Sequence, residues 1–299
     1  MKKETSPTAA KADISSNSIL VKLSIPTYKG QSNWREGAEE LATAHEADSE
    51  SVSTTLKALK PETRRRVMGI RAKARTVWQN ATLPWLDDGS RLCPIANYRR
   101  LRDELEKLKA EFEDAVSELV RNYDEIRKDA ETRLNGLFAK VGFPSKESFA
   151  SRFSFNVGIG VIATGSDVRV RTLTADAVEE IRKEVDRTNR EQIAESQRDA
   201  LRRVAEKVTH LVNKMLEEPE KGKDSPHFKN SIVSNVVEVA AEMRSFNVLE
   251  SAEFDKFLAR IERVAGRIDP DACREKKDAR KAAATTGKAI LKEIDNFSF

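Results

Sequence analysis

The stretch that decides the fold is YRRLRDELEKLKAEFEDAVSELVRNYDEI, residues 98–126. Its apolar residues recur every three or four positions, which places them along one side of an α-helix. One extra residue between Phe112 and Val116 shifts the phase of this heptad-like pattern slightly. The pattern predicts one helix from about residue 95 to 139, on the order of 65 Å long at 1.5 Å per residue. Helices of this length are typical of coiled coils and helical hairpins. The apolar positions are Tyr98, Leu101, Leu105, Leu108, Phe112, Val116, Leu119, Tyr123, Ile126 and Ala130.

A second long helix is predicted to begin at Thr174, a residue type that caps helix N-termini. It carries two apolar stripes, and between them the stretch from Asp186 to Ala200 is polar except for Ile193. Two long amphipathic helices in one chain most simply pack on each other as an antiparallel pair. The alternative is pairing between chains into a dimer or larger assembly, and the polar middle of the second helix favours some partner. The stripes are Val178, Ile181 and Val185, then Leu201, Val204, Val208, Leu211 and Met215.

The expected fold class is mainly α, with the long antiparallel coiled-coil-like helix pair, a small β-hairpin or short sheet, and a C-terminal helical bundle. We expect a disordered arm at residues 1–17, a helical core at 18–217, a linker at 218–226 and a C-terminal helical segment at 227–299. The shorter elements are a strand at Ile19–Ile25 closed by Pro26, a helix from Trp34 to about Ala47, a helix that begins at Pro61, a loop at Asn80–Pro94, a hairpin of Val157–Ile162 and Val168–Leu173, and helices at about 228–246, 250–267 and 270–296.

Composition excludes several classes of protein. The 53 basic and 49 acidic residues give a net charge of +4, which excludes a polybasic coat for nucleic acid but allows a local basic patch. No window of 18 apolar residues is present, and residues 1–17 lack the apolar core of a secretory signal, so we expect no membrane span and no secretion. The two cysteines, Cys93 and Cys273, are far apart and lack metal-ligand spacing. The expected location is the reducing cytoplasm.

Motifs with catalytic or ligand-binding meaning are weak. Gly158–Ala163 formally fits the G-x-G-x-x-A pattern of dinucleotide sites, but an alternating stretch follows where a helix is required, so we expect a hairpin strand. The histidines His45, His210 and His227 have no ligand spacing. The pair Asp87-Asp88 is typical of a turn, and a catalytic role for it is a minor alternative. The sequence predicts no catalytic residue, no cofactor, no metal site and no enzymatic activity.

A run of six basic residues with no acid after Glu62 is the most prominent functional feature. Arginine forks bind phosphate oxygens and aromatic rings stack on bases, and Trp78 and Trp85 follow the run closely. The simplest interpretation of the run is an exposed helix face paired with the acidic stretch Asp103–Asp114, and the alternative is a nucleic-acid site. The six residues are Arg64, Arg65, Arg66, Arg71, Lys73 and Arg75, and the positive region is extended by Arg91, Arg99, Arg100 and Arg102.

The loop after Ala81 carries a motif that resembles one family. The motif Thr82-Leu83-Pro84-Trp85, followed by Asp88-Gly89, Arg91-Leu92 and Pro94, is similar to a family of uncharacterised tailed-phage and prophage proteins, grouped as domains of unknown function. The resemblance covers roughly residues 19–185 and implies a phage factor in the host cytoplasm. Genes of some relatives lie near those of MoxR-like AAA+ ATPases and von Willebrand-type domains, which implies an adaptor role, and no catalytic residue is carried over. The other similar stretches are Ile19–Ile25, Leu134–Phe138, Phe143-Pro144 and Asp167–Val170.

The motif also has a physical interpretation. Pro84 fixes the backbone and Trp85 offers a large apolar area, so we expect the loop, with Asp88 and Arg91, to dock on the long helix or to contact a partner. The favoured hypothesis is a non-enzymatic phage protein that acts through helix-mediated protein–protein contacts, as an oligomer or an AAA+ ATPase adaptor. The alternative is a nucleic-acid-binding factor in phage DNA replication, recombination or packaging that uses the Arg64–Arg75 face.

Overall fold

The fold is mainly helical and contains a small antiparallel sheet, which confirms the predicted fold class. The computed structural model describes residues 14–86, 88–168, 174–217 and 229–297. Residues 1–13 of the predicted arm and the whole predicted linker lie outside these ranges. The helices are α1 (Ile14–Asn17), α2 (Arg35–Ala44), α3 (Pro61–Ala81), α4 (Ile95–Arg121), α5 (Tyr123–Leu134), α6 (Phe138–Val141), α7 (Lys146–Ser151), α8 (Ala175–Leu216), α9 (Ser231–Met243), α10 (Ala252–Ala265), α11 (Pro270–Glu275) and α12 (Lys277–Asp295). The strands are β1 (Ser18–Ser24), β2 (Gln31–Asn33), β3 (Thr55–Lys57), β4 (Leu83–Pro84), β5 (Ser90–Pro94) and β6 (Asn156–Gly160).

The first predicted long helix is present as α4 and α5, but it ends at Leu134 rather than near residue 139. Between the two helices, the Asn122 amide donates to the Glu118 carbonyl at 3.1 Å and the Ile126 amide donates to the Asn122 carbonyl at 3.0 Å, so helical hydrogen bonding continues. The helix ends because Asn135 adopts a φ of 45°, a region that asparagine tolerates better than most residues. Sequence periodicity alone did not reveal this backbone turn.

A four-stranded sheet joins distant parts of the sequence in the order β4-β5-β1-β6. The strands β4 and β5 are antiparallel, with Leu83 opposite Leu92. The stretch predicted as a loop at Asn80–Pro94 is therefore a β-hairpin, and Gly89 near its tip has a φ of 82°. A separate two-stranded sheet pairs β2 with β3.

The hairpin predicted after residue 156 is only partly described. Its first arm is confirmed as strand β6, which is hydrogen-bonded to β1 in the sheet. The stretch Gly165–Asp167 forms a 3-10 turn. Residues 169–173 of the predicted second arm lie outside the described residues, so the second arm stays a prediction.

The chain forms two compact units. The first unit comprises Met1–Val21, Ala81–Tyr98 and Ile159–Phe299, and the second comprises Lys22–Asn80 and Arg99–Gly158. The helices that follow the predicted linker belong to the same unit as α8. None of the helices in the described ranges is long and apolar enough to cross a membrane.

In the first unit, α8 packs mainly against α12 and α9. Leu201, Val204 and Leu211 of its second apolar stripe are 4%, 0% and 1% exposed and belong to one core cluster with residues of those helices. Gly287 of α12 permits this close approach, since a Cβ atom there would lie 2.4 Å from Val212 Cγ2. This corrects the expectation that the two long helices pack on each other, because the C-terminal helices cover the stripe of α8 instead.

The polar middle of α8 is partly buried, although its sequence favours exposure. Ser196 and Gln197 are each 1% exposed. The Ser196 hydroxyl donates to the Pro84 carbonyl at 2.6 Å, and Gln192 Oε1 accepts a hydrogen bond from the Leu86 amide at 3.1 Å. The contact of Ser196 satisfies a backbone carbonyl of the β4–β5 hairpin, which explains a polar residue at that buried position. The Gln197 Nε2 atom, in contrast, has no hydrogen-bond partner in the described residues. Part of this stretch therefore contacts the chain itself, and an external partner for it stays a prediction.

The second unit is organised around the apolar stripe of α4 and an aromatic cluster. Leu101, Leu105 and Phe112 are at most 2% exposed. The Tyr123 hydroxyl donates to the Pro144 carbonyl at 2.6 Å, which anchors the segment after α5. The stripe that predicted a coiled-coil seam is therefore buried inside this unit.

Candidate functional site

Helix α3 carries the basic run and forms as its sequence predicts. Pro61 stands at its first position, where the missing N–H group is not needed for helical hydrogen bonding. Val67, Ile70 and Ala74 are 1%, 9% and 0% exposed, so the apolar face of α3 is buried in the second unit. The rest of the helix circumference is left for the basic side chains.

The basic residues of α3 surround its exposed side rather than forming one face. At roughly 100° per residue, three arginines fall within about 40° of one another along one edge. The opposite edge carries two cations, and the ridge between the edges carries one arginine followed by small residues. The first edge consists of Arg64, Arg71 and Arg75, the opposite edge of Arg66 and Lys73, and the middle of the ridge of Arg65, Gly69, Ala72 and Thr76. The exposed residues Glu62, Gln79 and Asn80 lie on the same arc at the two ends of the helix.

Four of the six cations have no acidic partner within the described residues, and three of these four also make no hydrogen bond there. Arg64, Lys73 and Arg75 lie farther than 4 Å from any carboxylate within the described ranges. Arg64 is half-buried, whereas Lys73 and Arg75 are exposed. Unpaired cations on a helix edge keep their charge available to a ligand.

The other three cations are held by groups of the second unit. Arg66 Nη1 lies 2.6 Å from a Glu118 oxygen, and Arg65 pairs more loosely with Glu62 at 3.7 Å. Arg71 Nε donates to the Ile25 carbonyl at 3.0 Å. Burial, together with the nearby positive charge of Arg75, lowers the pKa of Arg71. The six cations therefore divide into three whose side chains make an ion pair or a hydrogen bond with other groups of the second unit and three whose side chains make none there.

The acidic stretch Asp103–Asp114 pairs within its own helix α4. Arg102 lies 3.0 Å from Asp103 and 3.7 Å from Glu106, and Lys109 lies 3.9 Å from Glu113. In the second unit, all of which the structure describes, no acid of this stretch lies within 4 Å of a cation of α3. The expectation that these acids neutralise the basic face of α3 is therefore wrong.

The net charge of the chain is concentrated on α3. The helix has six basic residues and one acid, Glu62, a net charge of +5, whereas the whole chain has +4. The remaining residues therefore sum to −1. An overall balance of charge coexists with one strongly basic helix.

The tryptophans expected to support base stacking are not available beside α3. Trp78 lies on α3 but is half-buried, and Trp85 is 3% exposed within the first unit. Of the four further arginines in the predicted positive region, Arg91 also belongs to the first unit and Arg102 is paired with acids of α4. The site brought together by the structure is therefore narrower than the sequence suggests.

The second candidate, the loop with Trp85, Asp88 and Arg91, is a structural hairpin. Trp85 packs in a cluster that includes Ile193 of α8, which confirms docking of the loop but on the second long helix. Asp88 accepts hydrogen bonds from the Ser90 amide at 2.8 Å and the Ser90 hydroxyl at 3.0 Å, which shapes the turn.

The side chain of Arg91, in strand β5, is held by hydrogen bonds to Thr82 rather than exposed to a ligand. Its Nε donates to Thr82 Oγ1 at 2.8 Å, and Arg203 of α8 donates to the Thr82 carbonyl at 2.7 Å. Burial, assisted by the nearby charge of Arg203, lowers the pKa of Arg91 to about 10. Asp199 opposes this effect and pairs with Arg203 at 3.1 Å. Arg91, Arg203 and Asp199 together attach the hairpin to α8.

An open cavity in the second unit was not indicated by the sequence, because its walls come from two separated segments. It has a volume of about 260 Å³, below the roughly 300–1,000 Å³ usual for small-molecule sites. Trp34 and Glu50 contribute to its wall, together with Arg35 and Glu39, which form an ion pair at 3.1 Å. In the described residues no group of three or more His, Cys, Asp or Glu side chains is placed to hold a metal ion.

Comparisons with models of known protein families, with curated proteins and with solved structures find no match to this chain. The resemblance to tailed-phage and prophage proteins therefore stays a prediction. The candidate site is defined by geometry and charge alone, and α3 is its centre.

Proposed function

We propose that this protein binds nucleic acid through helix α3 and that it is not an enzyme. The observation that carries the proposal is the set of unpaired cations Arg64, Lys73 and Arg75 on a helix whose charge exceeds that of the whole chain. Cations that neutralise phosphates release condensed counterions, which makes such binding favourable and salt-dependent. This adopts the alternative of the sequence analysis, because the stripe of α4 and the second stripe of α8, which favoured intermolecular helix pairing, are largely buried. The first stripe of α8 is not covered to the same extent, since Ile181 is 37% exposed.

The proposal places the protein in the cytoplasm of a cell, a host cell if the chain is phage-encoded. Cys93 and Cys273 are both buried thiols without a disulfide, which is compatible with a reducing compartment. A role in phage DNA replication, recombination or packaging is the cellular setting we propose for this binding. The resemblance in the Thr82–Pro94 motif supports that setting.

A triple variant in which three cations are replaced by uncharged glutamine tests the proposal. Arg64→Gln, Lys73→Gln and Arg75→Gln together remove three unpaired cations without disturbing the apolar face of α3. Each phosphate contact contributes about −0.9 to the slope of log K against log salt for B-DNA, so the slope should become less steep by about 2.7. Fluorescence anisotropy with a labelled DNA fragment at four salt concentrations measures both slope and affinity.

A matched control separates a local site from bulk charge. Lys277, Lys281 and Lys288 are exposed on α12 and lie beyond 4 Å of any carboxylate in the described chain. Their replacement by glutamine removes the same charge from another helix and should change the slope by less than about 1. Equal loss of binding in both triple variants would show that net charge rather than α3 governs the interaction.

A second candidate, a protein-interaction function, is supported by two exposed apolar residues in the first unit. Ile159 on the outer strand β6 and Val161 directly after that strand are 59% and 81% exposed, and exposed apolar residues at a sheet edge are typical of strand-addition surfaces. The oligomer and the ATPase-adaptor hypotheses both require such a surface. Light scattering of the parent protein and of Val161→Lys tests self-association. If the protein self-associates through this surface, the parent has a molar mass that is a multiple of 33.6 kDa, and the variant has a lower one.

A further inference from the structure

Every Phe, Tyr and Trp side chain of the second unit is buried or half-buried, and the structure describes all residues of that unit. Tyr28 and Tyr123 are 9% and 5% exposed, and Trp78 on α3 itself is half-buried. Proteins that bind single strands combine a basic groove with exposed aromatic rings on which bases stack. The unit with the basic helix therefore offers cations but no stacking surface.

The exposed half of α3 has the form of a ridge with a basic edge on each side. The ridge is narrow because Gly69, Ala72 and Thr76 have small side chains, and a Cβ atom at Gly69 would meet no atom within 4 Å. A helix with its side chains is about 10–12 Å across, and the major groove of B-form DNA is about 12 Å wide. Cations along both edges of a helix in that groove would face the two phosphate backbones that border it.

We infer that the ligand of α3 is B-form duplex DNA, with the ridge in the major groove and the basic edges against the phosphates. This inference rests on the proposed function. Duplex RNA does not fit, because its A-form major groove is deep and too narrow for side chains to read. Gly69 and Ala72 in the middle of the ridge offer no hydrogen bonds to bases, so base contacts are confined to Arg65 and to Thr76, Gln79 and Asn80 near the end of the helix.

The form of the nucleic acid is tested with three labelled probes of one sequence and length: duplex DNA, single-stranded DNA and duplex RNA. We expect the full-length protein to bind duplex DNA at least tenfold more tightly than either other probe at the same salt concentration. Equal or tighter binding of the single strand or the RNA duplex would overturn the inference and leave the proposed function intact. Absence of binding to all three at low salt would refute the proposed function itself.

The groove is tested by chemical protection with dimethyl sulfate, which methylates guanine N7 in the major groove and adenine N3 in the minor groove. We expect bound protein to protect guanine N7 and to leave adenine N3 reactive. Protection of adenine N3 alone, or of neither atom in a fully bound duplex, would overturn placement of α3 in the major groove. Binding strength measured in the same samples keeps this outcome separate from a failure to bind.

A substitution on the ridge tests whether α3 is responsible for the preference for duplex DNA and for the protection of guanine N7. Ala72→Glu places a carboxylate on the exposed ridge and should weaken duplex binding at least tenfold and abolish N7 protection. Ala289→Glu is the matched control, because Ala289 is an exposed alanine within helix α12. Circular dichroism checks that both variants fold. If Ala72→Glu and Ala289→Glu bind duplex DNA as the parent does, the ridge does not contact DNA and the inference is wrong.

Discussion

Replacing Trp85 by alanine measures how firmly the β4–β5 hairpin is held in the first unit. Trp85 is 3% exposed and shares a cluster with Leu92, Ile162 and Ile193. A buried tryptophan removes on the order of 150–250 Å² from water, which at about 25 cal/mol per Å² corresponds to roughly 4–6 kcal/mol. Alanine retains part of this area and neighbours relax partly into the cavity, so we expect a loss of about 3–5 kcal/mol.

The assay combines two signals in urea titrations. Far-ultraviolet circular dichroism follows all helices. In Trp85→Ala the remaining tryptophans, Trp34 and Trp78, both lie in the second unit, so their fluorescence follows that unit. A loss of this size should also lower the melting temperature by about 10 °C, at roughly 2–4 °C per kcal/mol for a unit of this size.

Leu86→Ala is the matched control, because Leu86 is the neighbouring residue and is 49% exposed. We expect it to change the free energy of unfolding by less than about 1 kcal/mol. An unchanged midpoint for Trp85→Ala would refute the reasoning, since it would show that the indole is not buried in solution. The tryptophan would then be available to a partner, as the alternative in the sequence analysis allows.

Three further predictions concern helix packing and thiol reactivity. Gly69→Ala should raise the free energy of unfolding by about 0.5–1 kcal/mol, because the new Cβ atom meets no atom within 4 Å and alanine is the better helix former. Gly287→Ala should lower the free energy of unfolding by about 1–3 kcal/mol, because its Cβ atom would lie 2.4 Å from Val212 Cγ2. Urea titration of both glycine variants checks these opposite signs. Stabilisation at both sites would contradict the packing of α12 on α8. Burial raises the pKa of the Cys93 thiol to about 12, so at pH 8 the thiol of the folded protein should resist iodoacetamide and react only after unfolding. Mass spectrometry measures the labelling, and fast labelling of the folded protein would contradict that burial.

The helices could be predicted because their signal is local. The stripe of α4 and the apolar positions of α3 are periodic in sequence, and each is buried where the period places it. The strand β1 and the start of α3 at Pro61 were predictable for the same reason, since alternation and a first-turn proline depend on neighbouring residues alone. Helix ends were less predictable, as Asn135 shows, because the φ of one residue decides them.

Partners between distant segments could not be predicted from periodicity. Ser196 is buried because its hydroxyl meets the Pro84 carbonyl, 112 positions away in the chain. Arg91 and Arg203 converge on Thr82 for the same kind of reason. A polar residue gives the same sequence signal whether its partner is water or a buried carbonyl. The sequence therefore indicated the hairpin motif as a feature of interest but not the helix that would hold it.

The basic run shows why charge must be counted locally rather than over the chain. At physiological salt the Debye length is about 8 Å, so a ligand responds to the charges near its contact point and hardly to the net charge of +4. On α8, Arg187 has Glu184 at 2.5 Å and Glu191 at 2.6 Å, and its charge is cancelled well within that length. On α3, Lys73 and Arg75 lie beyond 4 Å of any carboxylate in the described residues, so their field extends into solvent. Two helices that both carry several arginines therefore differ in what they can attract, because α8 has acids beside its cations and α3 has one acid, Glu62.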